Sequence, residues 1–151
     1  MSIHSERQVP SQEEVELIRW HRMICVCYNL VKGSIWWVKE EVWKRTNIRY
    51  DQHSTRKGHF GLSIRKAPPV TPYEMMPMLH GTSGTQGPVV ARGLSANRPL
   101  DYPTSFGHLA PANLELDEYR HKNITPNEFK PKLNDREMEN LDKWMKRQGL
   151  S

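Results

Sequence analysis

Long apolar runs are missing from this chain: no stretch approaches the roughly 18 residues that a membrane-spanning helix needs. A helical membrane anchor is therefore not expected. Cysteine is scarce, with two in 151 residues. Cys25 and Cys27 stand two apart in an expected helix, so they point to different faces and suit neither a mutual disulfide nor a zinc knuckle. The first ten residues are polar and lack the apolar core of a signal peptide. With the two thiols, this gives the expectation of a reducing, cytoplasmic compartment. There is no Walker-type phosphate loop, because the glycines from Gly81 to Gly87 come without the lysine and the spacing that such a loop requires. His53, His59, His80, His108 and His121 show no tight metal-ligand spacing, so neither a metal nor another cofactor is expected.

What the chain does have is turns and positive charge. Eleven prolines and nine glycines point to a small β-rich fold with helical ends, and the length predicts one compact fold around a single core. The formal charge of +5 and the isoelectric point near 9.3 favour an anionic partner. Within residues 39–66, eight basic residues face three acidic ones. That local excess equals the charge of the whole chain.

The pattern predicts a helix over residues 11–31, opened by Ser11 with Glu14 three residues on, as in a capping box. Leu17, Trp20, Ile24, Cys27, Tyr28 and Val31 form its apolar stripe. Gly33 breaks it, and residues 34–39 read as a strand in which Trp36 and Trp37 point to opposite faces. A long basic loop is expected from about residue 40 to residue 58, as a lid or groove wall. Phe60, Leu62 and Ile64 alternate with Gly61, Ser63 and Arg65 in a half-buried strand. A proline-rich turn at residues 67–72 leads to a strand over 73–80, whose Pro77 suggests an edge or a bulge. A flexible connection over 81–87, a strand over 88–94, a weaker strand over 106–116 and an irregular stretch over 117–132 follow. Asn134 and Glu137 cap a final helix with Met138, Leu141, Trp144 and Met145 on its buried stripe and Gly149 at its end. These elements describe a mainly β, α+β fold: a small, partly open β-barrel flanked by an N-terminal and a C-terminal helix.

Chemistry concentrates between Arg56 and Gly84. Cleaving a phosphodiester without a metal requires an acid–base group, a donor for the leaving oxygen and fixed positive charge. His59 is a candidate acid or base because imidazole titrates near the working pH; its plain reading is a surface histidine in a turn. His80 is a second candidate, or a satisfied structural residue at a strand end. Thr82 and Ser83 can hold a phosphate oxygen, or simply belong to a turn. Arg56 and Lys57 supply cations, with Lys44, Arg45 and Arg49 beside them. Trp43, interleaved with those cations, suits base stacking, or it anchors the loop.

The segment Lys32-Gly33-Ser34-Ile35-Trp36-Trp37-Val38 resembles the opening strand of the MazF/PemK toxin family. Lys57-Gly58-His59-Phe60-Gly61-Leu62-Ser63-Ile64 is similar to that family's second strand, with His59-Phe60 standing where an arginine–proline pair is usual. Leu79 to Ser83 matches the end of the third strand, where a threonine or serine is common. Pro88 to Arg92 and Phe106 to Pro111 fit the later segments. The resemblance implies an SH3-like barrel over residues 32–151, with residues 1–31 as an added helical extension. It also implies a usual homodimer, metal-independent cleavage of single-stranded RNA by a toxin-type endoribonuclease, and an antitoxin as protein partner. Carried over, the family arginine falls on His59 and its hydroxyl residue on Thr82 or Ser83, with Arg56 or Lys57 replacing the missing cation. A non-catalytic nucleic-acid- or protein-binding module on the same barrel, as in a phage or toxin–antitoxin regulatory protein, is the alternative.

Overall fold

The computed structural model describes residues 9–27, 32–50, 57–66, 74–92, 103–115, 124–126 and 132–150. Helix α1 (Gln12–Cys27) begins as its capping pattern predicts: Ser11 Oγ accepts from the Glu14 amide at 3.1 Å. Leu17, on the expected stripe, is buried. The side chains of Trp20, Ile24 and Cys27, and the residues Tyr28 and Val31, lie outside the described part.

Five antiparallel strands form the main sheet: β1 (Ile35–Lys39), β2 (Gly58–Ser63), β3 (Met75–His80), β7 (Ala112–Glu115) and β8 (Ile124–Pro126), in the order β7-β3-β2-β1-β8. A second sheet, ordered β4-β6-β5, contains β4 (Thr82–Ser83), β5 (Val89–Ala91) and β6 (Thr104–Phe106). The chain passes from one sheet to the other at Gly81, whose amide donates to the Phe60 carbonyl at 2.8 Å. A Cβ there would lie 2.8 Å from that same carbonyl and 2.8 Å from the Phe106 ring, so glycine is what lets the two sheets meet so closely. Neither sheet closes on itself among the described strands, and the fold is α+β with two open antiparallel sheets.

Strand alternation sorts the core into two clusters. Trp36, Val38, Met76, Met78, Ala112 and Leu114 face one way and pack with Val42, Trp43 and Ile48. Ile35, Leu62 and Leu79 face the other way and pack against the second sheet and helix α3 (Asp135–Arg147) through Val89, Phe106, Leu141 and Trp144. Each such side chain contributes about 1.5–3 kcal/mol when fully buried, and the inner strands β1 and β3 place buried apolar side chains on both faces of the sheet. The tryptophan pair divides as alternation predicts: Trp36 is wholly buried, whereas Trp37 is half-buried and meets the Phe60 ring edge-on at 5.1 Å.

Several sequence expectations need correction. The expected loop from residue 40 opens instead with helix α2 (Glu40–Lys44), because Val42 and Trp43 are pulled into the core. Pro77 is not on an edge, since β3 lies between β2 and β7. Its carbonyl accepts from Ile64 N at 3.2 Å; in an antiparallel strand a residue's N and O point the same way, so the missing N–H falls where the β2 ladder ends. The single weak strand over 106–116 is two strands, β6 and β7, in different sheets. The stretch over 117–132 contains β8, which pairs with β1, and Lys132, which bridges to Ser34. The flexible connection over 81–87 begins with the paired strand β4. Residues 67–73, which hold the proline turn, lie outside the described residues.

Candidate functional site

Backbone register brings a carboxylate and two imidazoles together. In the β1–β2 ladder Val38 stands opposite His59 and Lys39 opposite Gly58. The next amide, Glu40 N, donates to Lys57 O at 2.9 Å, so the first residue of α2 is held beside His59. In the β2–β3 ladder His80 stands opposite Gly61, two residues from His59. Residues two apart share a face, and both imidazoles therefore project from the side of the sheet that α2 covers. Gly61 leaves room between them: a Cβ there would lie 3.1 Å from the Trp43 indole.

The side chains then lock around one another. Glu40 Oε2 lies 2.9 Å from His59 Nδ1, at ion-pair distance but without hydrogen-bond alignment, and the two side chains are 13% and 12% exposed. The Tyr50 hydroxyl donates to the other carboxylate oxygen, Glu40 Oε1. Trp43 Nε1 donates to the His59 carbonyl at 3.3 Å. The His80 ring is packed by His59 at 4.4 Å, Tyr50 at 4.2 Å and Trp43 at 4.7 Å between centroids.

His80 is the anomalous member. It is 3% exposed, and neither Nδ1 nor Nε2 has a hydrogen-bond partner. A buried polar group left unsatisfied costs about 1–3 kcal/mol. Burial, and secondarily the neighbouring His59 charge, lower its pKa from 6.5 to about 3. His80 is thus a neutral imidazole with an available lone pair at any physiological pH.

The sequence-predicted residues are placed as follows. His59 and His80 stand together in this cluster. Ser83 borders a cleft of about 10 Å³ with His59, Gly58, Phe60 and Thr104, while the His59 ring turns to Glu40; Thr82 is exposed on β4 and is not part of that cleft. Lys44, Arg45, Arg49 and Lys57 are exposed on the segments that carry Glu40 and His59. Arg56 lies outside the described residues, as do His53 and His121. Two assignments change. Trp43 is wholly buried and offers no face to a base, so it is the anchor of its segment. His80 is too deep to touch RNA.

Glu40 and Tyr50 are the members that sequence reasoning missed. The available signal was an acid placed directly after β1, which the Val38–His59 register brings beside His59. A further cavity of about 280 Å³ lies beside α2 against β7, with Arg45, Thr46, Met75, Asn113 and Glu115 in its wall. Set against protein families, curated proteins and solved structures, the chain matches none.

Proposed function

We propose that this protein is an endoribonuclease acting on single-stranded RNA, with Glu40 and His59 as its acid–base pair. The observation that carries this reading is the 2.9 Å approach of a partly accessible carboxylate to a partly accessible imidazole. A carboxylate against one ring nitrogen orients an imidazole and stabilises the cation formed when it takes a proton. Alignment of such pairs often tightens only when substrate binds. His59 takes the 2′-hydroxyl proton, the resulting alkoxide attacks the adjacent phosphorus to form a 2′,3′-cyclic phosphate, and the 5′-oxygen leaves as a hydroxyl with a proton from water. Lys44, Arg45, Arg49 and Lys57 supply the phosphate-binding charge. The cavity beside α2 has the size and the Arg45 and Asn113 donors to hold a base.

In this proposal the two sheets, continuous through Gly81, are a partly open SH3-like barrel of the MazF/PemK kind. A homodimer, an antitoxin-like protein partner and a cytoplasmic site of action go with it. A second reading, a binding module without cleavage, draws on the placement of Thr82 and Ser83 in the other sheet from His59.

The test is incubation of purified protein with mixed-sequence single-stranded RNA in chelator. Cleavage is expected, falling by about 10²–10⁴-fold in His59→Ala as an acid–base group is lost, and falling also in Glu40→Gln. Binding without cleavage in the wild type would establish the second reading. Cleavage unaltered in His59→Ala would remove the proposed pair.

A further inference from the structure

We propose that Glu40, His59 and His80 form a binding site for one divalent transition-metal ion of the zinc class. A carboxylate oxygen of Glu40 and a ring nitrogen from each histidine all lie within 4.8 Å of one another. Four-coordinate zinc with bonds of about 2.0–2.1 Å sets its ligands about 3.3 Å apart. Glu40 Oε2 and His59 Nδ1 are already 2.9 Å apart, and the widest pair, within 4.8 Å, closes by at most about 1.5 Å to reach that spacing. Two imidazoles and a carboxylate are a borderline-soft donor set that suits zinc, cobalt or nickel better than magnesium or calcium.

The independent observation is His80. It is 3% exposed, neither ring nitrogen is hydrogen-bonded, and one of them falls within the ligand cluster. Its surroundings fix the ring between Tyr50 and Trp43. Tyr50 also holds Glu40 Oε1, which leaves Oε2 for the ion and orients the carboxylate as partners of metal ligands commonly do. Three ligands leave a fourth position for water or an anion.

The site does not rest on the nuclease reading, and its test reads metal bound, not RNA cut. Metal-stripped full-length protein is titrated with Co²⁺, followed by its visible ligand-field bands, and then with Zn²⁺ in competition. The expected result is saturable uptake of one ion per chain, bands of four-coordinate intensity, and a rise in melting temperature with Zn²⁺. Glu40→Gln, which preserves shape, and His80→Gln should each weaken uptake by more than tenfold, and Tyr50→Phe by about tenfold. Should His80→Gln fail to fold, Glu40→Gln carries the comparison. Absence of saturable uptake in the wild type, or uptake undiminished in Glu40→Gln, would overturn the site, the latter by placing the ion on histidines or cysteines elsewhere.

Discussion

His80 concentrates the physical tension of this fold in one residue. Its ring packs well against Trp43, Tyr50 and His59, yet both nitrogens lack hydrogen bonds. Packing favours the neutral ring, and burial with the adjacent His59 charge lowers the pKa from 6.5 to about 3. The unfolded chain therefore takes up this proton as pH falls through 6.5, whereas the folded chain holds out to about 3. Between those values the unfolded state binds more protons, so the contribution of His80 is fully present above 6.5 and is lost as pH falls toward 3. Between about pH 7 and pH 5 this one group accounts for up to about 2 kcal/mol of lost stability. Urea unfolding in chelator at those two pH values should show the loss in wild type and a smaller one in His80→Phe, which keeps an aromatic ring without the proton site. Equal losses in the two proteins would mean that His80 titrates normally.

At the scale of elements, the best-specified piece is α3. Asn134 Oδ1 accepts from Glu137 N at 2.8 Å, Glu137 Oε1 accepts from Asn134 N at 3.0 Å, and Glu137 Oε2 accepts from Arg92 N at 2.9 Å. One buried carboxylate thus closes the capping box and ties the helix to the end of β5. Replacing Glu137 by Ala removes two charge-assisted bonds and leaves two amides without partners, which should destabilise the protein by about 2–4 kcal/mol; Glu137→Gln should lose less. Chemical denaturation measures both, and a loss below about 0.5 kcal/mol for Ala would show that water replaces the carboxylate fully. The start of this helix was legible in the sequence because a cap is a local pattern: Asn134 and Glu137 are three residues apart. β1 was legible through its run of β-branched and aromatic residues, and β2 through its alternating apolar residues. α2 was not, because five residues have too little periodicity, and Val42 and Trp43 define it only by entering a core built from distant strands. β8 was not either. Its three residues acquire strand geometry from β1, more than 80 positions earlier.

For the molecule as a whole, the sheet separates two surfaces with different roles in the proposed chemistry. One face carries α2 with Glu40 and His59, and Lys44, Arg49 and Lys57 are exposed on the same chain segments; the other face packs on α3. His59 was legible as a candidate because imidazole is conspicuous in any sequence, but its partnership with Glu40 exists only through register, and the convergence with His80 only through a third strand. The charge excess over residues 39–66 was legible as well, and the exposed cations on the segments that carry Glu40 and His59 make a quantitative claim. If Lys44, Arg49 and Lys57 contact RNA phosphates, substituting all three by Ala should lower affinity for single-stranded RNA and reduce the slope of log K against log salt by about 2, since each contact contributes about 0.7. Net charge alone would produce a smaller and less local effect. The control is the equal charge change on the opposite surface, Lys143→Ala with Lys146→Ala and Arg147→Ala, all three exposed on α3. Filter binding or fluorescence anisotropy over a range of salt, with Glu40→Gln as the background to suppress cleavage, gives both slopes. A flattened slope only in the α2-side variant places RNA on the Glu40–His59 face. Equal slopes in the two variants would show that RNA responds to overall charge, and that the cations around Glu40 and His59 have no special part in holding it.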